Sequence, residues 1–145
     1  MILINRSLML DYAKQASETI GADLGLDRNI CIAFNYLKGR VFEFPLVLLA
    51  NGSLASQDGL KLGLADNFTA SVDAVDQLRV ALFPASVLNV SLVAALDRHY
   101  ECIISAQSAR GASISEFAQG VTEPLVRLTA LLKLAAVAES VPVLS

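Results

Sequence analysis

The chain predicts an α+β fold in the order helix, three strands, helix, two strands, helix, with an antiparallel sheet flanked by the helices. Three observations predict it. Segments with apolar residues three and four positions apart open, divide and close the chain. Between them lie stretches that alternate apolar and polar residues around polar turns. The length, 145 residues, suits one domain (1–145) with an ordered core over about 5–139.

The first helix is "SLMLDYAKQASETIG". Leu8, Tyr12, Ala16 and Ile20 repeat every fourth residue, Ser7 is placed to cap the start, and Gly21 to end it. "NICIAFNYLKGRVFEFPL" predicts a hairpin. Its first strand is 30–36, with Ile30, Ile32, Phe34 and Tyr36 on one face. Its turn is "LKGR", and its second strand is 41–46, where Pro45 marks the strand's end or an edge position. Two turn signals, Asn51-Gly52 and Asp58-Gly59, place a third strand of unfixed register between Leu48 and Leu64. "TASVDAVDQLRVALF" is the second helix. Thr69 or Ser71 is its cap, Asp73 and Asp76 sit near its positive end, and Val72, Val75, Leu78 and Leu82 form its stripe. Pro84 limits it.

A second hairpin follows, turning at Asp97–Glu101. Val90, Leu92, Ala94 and Leu96 face one way, and Cys102, Ile104 and Ala106 do so on the return strand. "SISEFAQGVTEPLVRLTALLKLAAVAE" then predicts a long helix. Ser113 and Glu116 have capping-box spacing, and Phe117, Val121, Leu125, Leu128, Leu132 and Ala135 form the stripe. Gly120 and Pro124 predict a kink there or a restart at Thr122, and the tail "SVPVLS" is expected to fray.

Composition narrows the function classes. Hydrophobic residues are 54% of the chain and charged residues 17%, against roughly 25% charged in an ordinary domain. Mean hydropathy is +0.56. A run of 17 residues, Val80 to Leu96, holds no charge. It only reaches the lower limit of about 17 for a membrane span, and Pro84, Ser86, Asn89 and Ser91 interrupt it. No membrane span and no signal peptide are expected. The run divides instead into a helix end, a turn and a strand apolar on both faces. Such a strand needs cover on both sides, which a second copy of the chain would supply.

The chemistry-bearing residues are sparse. With 11 basic and 14 acidic residues the formal charge is −3, which argues against nucleic acid as a partner. Cys31 and Cys102 fit neither metal spacing nor a disulfide scaffold and read as buried thiols in a reducing compartment. The one histidine, His99, sits in "DRHYE", where a turn explains polar residues without catalysis. "ANGSLASQDG" has glycines but no Lys-Ser/Thr after them, so no phosphate loop is read there. Helix-end electrostatics explain Asp66, Asp73 and Asp76, with an acidic patch that meets a basic partner as the alternative. No catalytic residue, metal site or cofactor is assigned.

A family resemblance rests on two stretches. "NICIAFN…RVFEFP" is similar to a hairpin in which a V-C-x-L type strand precedes a V-x-E-x-P type strand. "VSLVAALDRHYECIISAQS" followed by "GASISEFAQGVTEPLVRL" is similar to that family's second hairpin, short loop and final amphipathic helix. Over roughly residues 5–139 the chain resembles the class I chaperones of bacterial type III secretion, closest in pattern to those serving large effectors of plant pathogens. Gly120 and Pro124 depart from the family pattern. The resemblance implies a non-enzymatic, cytoplasmic bacterial homodimer that needs no cofactor. It would hold the N-terminal region of a secreted effector in extended form, keep it from aggregating and keep it competent for export. It implies effector-binding residues Leu8, Tyr12, Ile32, Phe34, Val41, Phe42 and Phe44. It also implies a dimer interface of Val75, Leu78, Leu82, Phe83, Val87, Leu88 and Val90. The alternative is a small dimeric α+β scaffold or ligand-binding module, roadblock-like or PAS-like. An enzyme using the "DRHYE" turn is the least favoured class.

Overall fold

The computed structural model describes residues 2–94, 97–107, 111–138 and 140–141. Strand β1 (Ile2–Leu3) leads into helix α1 (Arg6–Glu18). The cap of α1 is Asn5, not Ser7: its side-chain oxygen accepts from the Leu8 N–H at 3.0 Å. The helix buries Met9, Ala13 and Ala16. Of the expected repeat only Ala16 is in the buried stripe; Leu8 and Tyr12 lie one position off Met9 and Ala13 and are half-buried. The helix closes before Gly21, where Thr19 folds its hydroxyl back to the Gln15 carbonyl, and Ile20 is left 85% exposed.

Helix α2 (Leu24–Phe34) replaces most of the expected first strand. Ile30 and Phe34 share a face under a two-residue and a four-residue period alike, so the spacing does not separate strand from helix. The ends decide. Asp23 caps α2 by accepting from the Leu26 N–H, and Asn35 closes it in the left-handed region at φ 50°. Leu26, Ile30, Cys31 and Phe34 then form the buried stripe.

The expected hairpin survives in miniature. Strands β2 (Tyr36–Leu37) and β3 (Arg40–Val41) pair antiparallel around Lys38 and Gly39. Both turn residues have positive φ, the geometry that suits a two-residue hairpin. The second strand ends at Val41 rather than reaching Leu46, because the Phe42 N–H turns back to the Asn35 carbonyl at 2.7 Å. Three short antiparallel strands follow: β4 (Val47–Leu48), β5 (Leu54–Ala55) and β6 (Lys61–Gly63). The two predicted turns lie between them. Gly52 has φ +86°, and an added Cβ there would lie 2.5 Å from the Arg28 guanidinium. Gly59 has φ +90° with open space around it. We expect Gly59→Ala to cost about 1 kcal/mol for its backbone alone. Gly52→Ala should cost more, because Arg28 must also move. Urea denaturation of both variants checks this, and equal losses would mean the Arg28 contact contributes nothing.

Helix α3 (Val72–Leu82) is capped by Ser71, one of the two expected residues, and buries Ala74, Val75, Leu78, Ala81 and Leu82. Strands β7 (Val87–Val93), β8 (His99–Gln107) and β9 (Ser113–Gly120) form an antiparallel sheet in that order. His99, Tyr100 and Glu101 thus belong to β8, not to a turn. Ala94 and Asp97–Arg98 lie between the strands; the expected strand position Leu96 lies outside the described residues.

The start of the expected last helix is strand β9. "SISEFAQG" alternates, with Ile114 and Ala118 turned toward the core and Ser113, Ser115, Phe117 and Gln119 exposed. A period of two carries more weight here than the Ser113–Glu116 spacing. The helix itself, α4 (Glu123–Ala138), begins after Thr122, the expected restart point, whose hydroxyl accepts from the Leu125 N–H. Pro124 is then harmless, because the first turn of a helix has no intrahelical use for its N–H. Strand β10 (Ser140–Val141) pairs with β1, and the rest of the expected frayed tail, 142–145, lies outside the described residues.

Every residue of α4 is buried except Glu123, Pro124, Arg127, Lys133 and Val137. Helix α1, helix α3 and the strands β8 and β9 all pack against it. A helix apolar around most of its circumference belongs at the centre of a core, and α4 absorbs much of the excess hydrophobic content. The fold is α+β with antiparallel sheets and flanking helices. No helix among the described residues is long and apolar enough to cross a membrane.

Candidate protein-binding surface

Two rows of residues were expected to meet partners, and the structure separates each into core and surface. Of the first row, Phe34, Val41 and Phe42 are buried in the chain's own core. Leu8, Tyr12 and Ile32 are half-buried against that core, and Phe44 is 37% exposed. Burial lifts the Tyr12 hydroxyl above its ordinary range, with the Asp11 charge adding to it. Phe44 does not stand alone. Its ring lies 5.1 Å from that of Phe42, and the Arg40 guanidinium sits 4.8 Å over the Phe42 ring. Further along the sequence Leu48 of β4 and Leu60 and Leu64, which flank β6, are exposed. At the turn between α1 and α2, Ile20 and Leu24 are exposed as well. These five leucine and isoleucine positions escape sequence reading because a buried and an exposed leucine have the same letter.

Of the second row, Val75, Leu78, Leu82 and Phe83 face inward and are buried within the single chain. A side chain already covered has no surface to offer, so these four serve the fold. The reason is that α4 needs cover, and the apolar stripe of α3 provides it. Val87 is exposed, and Leu88 and Val90 are half-buried. The outer face of the sheet adds a pair: Ile103 and Phe117, the latter expected on a helix stripe, are both exposed and stand opposite each other on β8 and β9. The alternation in "SISEFAQG" is the signal that would have found Phe117.

A polar brace holds the α2 end of this surface to the segment before α3. The buried Asp27 carboxylate accepts from the Thr69 N–H at 2.9 Å and from the Thr69 hydroxyl at 3.2 Å. That hydroxyl accepts in turn from the Asp23 N–H at 2.8 Å. Asp66 accepts from the Lys38 N–H at 2.8 Å, and the Lys38 ammonium lies 3.9 Å away. Asp66 thus pins the β2–β3 turn rather than tuning a helix end. Burial raises the Asp27 pKa; the Thr69 bonds oppose the rise, and the charges of Asp23 and Asp66 add to it.

The remaining titratable groups give little reactivity. Burial pushes the Cys31 thiol up to about 12 and the Cys102 thiol up to about 11, so both stay protonated and inert at neutral pH. His99 bonds the Asp97 carbonyl at 2.7 Å through Nδ1 and approaches Glu101 at 3.3 Å through Nε2. Those two acceptors, the carbonyl first, raise its pKa. Among the described residues no group of three or more His, Cys, Asp and Glu is placed to hold a metal ion. What the arrangement offers is apolar contact area beside a rigid polar brace. No family model matches the chain, and neither a curated protein nor a solved structure does.

Proposed function

We propose that this chain is a holding chaperone of the type III secretion kind. It binds an extended, apolar segment near the N-terminus of a secreted effector in the bacterial cytoplasm, as a homodimer and without catalysis or cofactor. One observation carries the reading: from Phe44 to Leu64 four large apolar side chains (Phe44, Leu48, Leu60 and Leu64) stand exposed around a small sheet. The Arg40–Phe42–Phe44 stack rigidifies one end of that row. A rigid aromatic edge suits a client that brings its own apolar side chains and no fixed fold.

The test is a pull-down of the tagged chain from its own cells, followed by limited proteolysis. A short N-terminal segment of a larger protein surviving on the chain supports the reading. A partner that survives as a folded domain supports the scaffold instead. Phe44→Ser removes an anchor with 37% of its surface left to bury on binding, worth about 0.5–1 kcal/mol as its share of the ~1.5–3 kcal/mol for a fully exposed side chain. We expect a several-fold weaker hold on the surviving segment, together with a small fall in melting temperature because the Phe42 ring loses its stacking partner. Full retention by the variant would move the client to another face.

A further inference from the structure

We propose that β7 is a docking edge for a second copy of this chain, paired antiparallel about a two-fold axis at Val90. The inference rests on the homodimer part of the reading above and is independent of what the client is. Among the described residues strand β7 pairs with β8 alone, which leaves its other edge as a row of unpaired backbone donors and acceptors. Proteins ordinarily guard such edges with charge, proline or a bulge. The far edge of the same sheet is guarded: the Lys133 ammonium donates to the Phe117 carbonyl at 2.9 Å, and β9 carries Glu116. Strand β7 carries no charge and no proline, and its register with β8 runs unbroken from Val87 to Val93.

The sequence of that edge names its occupant. "VLNVSLV" reads with the same pattern in both directions. Antiparallel pairing centred on Val90 sets Val87 opposite Val93 of the second copy, Leu88 opposite Leu92, and Asn89 opposite Ser91. Val90 meets its own counterpart. Directly opposed residues share a face of an antiparallel pair. Here every opposed couple matches in chemistry as well as in face: apolar with apolar, amide with hydroxyl. Val87, 59% exposed, and Leu92, 44% exposed, each gain an apolar partner. The two three-stranded sheets become one of six strands, with no open β7 edge. A two-fold contact demands such self-complementarity, whereas an unrelated strand does not.

Asn89 and Ser91 are exposed, so changing them leaves the core alone. Asn89→Lys with Ser91→Lys sets new lysines opposite those of the second copy at two places. Asn89→Glu with Ser91→Lys sets each new lysine opposite a new glutamate, and puts the lysine rather than the glutamate opposite Glu101 of β8. Sedimentation equilibrium of the full chain should show a wild-type dimer, and circular dichroism should show both variants folded. The double-lysine variant should dissociate at least about tenfold more readily, and the lysine–glutamate variant should keep the wild-type affinity. A wild-type dimer that resists the double-lysine change, or that loses both variants alike, overturns the β7 register and leaves the homodimer reading standing. A wild-type monomer at every concentration reached overturns both.

Discussion

Replacing Leu128 with alanine should cost about 3 kcal/mol of folding stability, within the ~2–5 kcal/mol seen for buried leucines. Leu128 is fully buried in α4. That helix is the element against which α1, α3, β8 and β9 all pack, so the cavity would be walled by several rigid elements and relax little. Val137→Ala on the same helix is the control. Val137 keeps 39% of its surface in water, and we expect it to cost well under 1 kcal/mol. Urea denaturation measures both, provided that the slope of free energy against urea stays that of the wild type. A loss at Leu128 no larger than that at Val137 would remove α4 from the centre of the core.

The centrality of α4 also shows what the sequence could reveal. The low charge content suggests a demand for an outside partner, yet most of the last helix meets that demand internally. Its stripe of Leu125, Leu128 and Leu132 was legible. That Val126, Leu131 and Leu134 on its other sides are equally buried depends on neighbours far along the chain. Helix α3 was legible because its cap, its stripe and the following proline agree. Helix α2 was not, because positions 30 and 34 satisfy both periods, and of the deciding caps Asp23 lies before the hairpin stretch while Asn35 sits within its expected first strand. Strand β9 was lost to a capping-box spacing that its alternation contradicts. For the binding rows the obstacle differs. Val75, Leu78 and Phe34 are as apolar as Val87 and Phe44, and composition alone does not say which of them a fold will spend on itself.

Asp27 should make the protein less stable as pH rises from about 4, the ordinary aspartate value. In the folded chain its pKa is raised, with burial as the main cause and the Asp23 and Asp66 charges adding to it. The folded state therefore binds this proton more tightly than the unfolded state does. The stabilisation from Asp27 is complete below the unfolded pKa and is lost as pH climbs through the folded one. Above that it is level, and the carboxylate stays charged at a net cost that the two Thr69 hydrogen bonds only partly offset. Asp27→Asn keeps an oxygen for the Thr69 N–H and cannot ionise. The stability of this variant minus that of the wild type should thus rise with pH across that window and then flatten. Asp27→Ala behaves otherwise. It strands the buried Thr69 N–H, and we expect it to cost about 1–3 kcal/mol at neutral pH. Urea denaturation of the three proteins from acid to neutral pH separates these effects. Parallel pH profiles for wild type and Asp27→Asn would show that the carboxylate is not held against its burial. The Thr69 contact would then be a neutral brace between α2 and the segment before α3, with no share in the pH response.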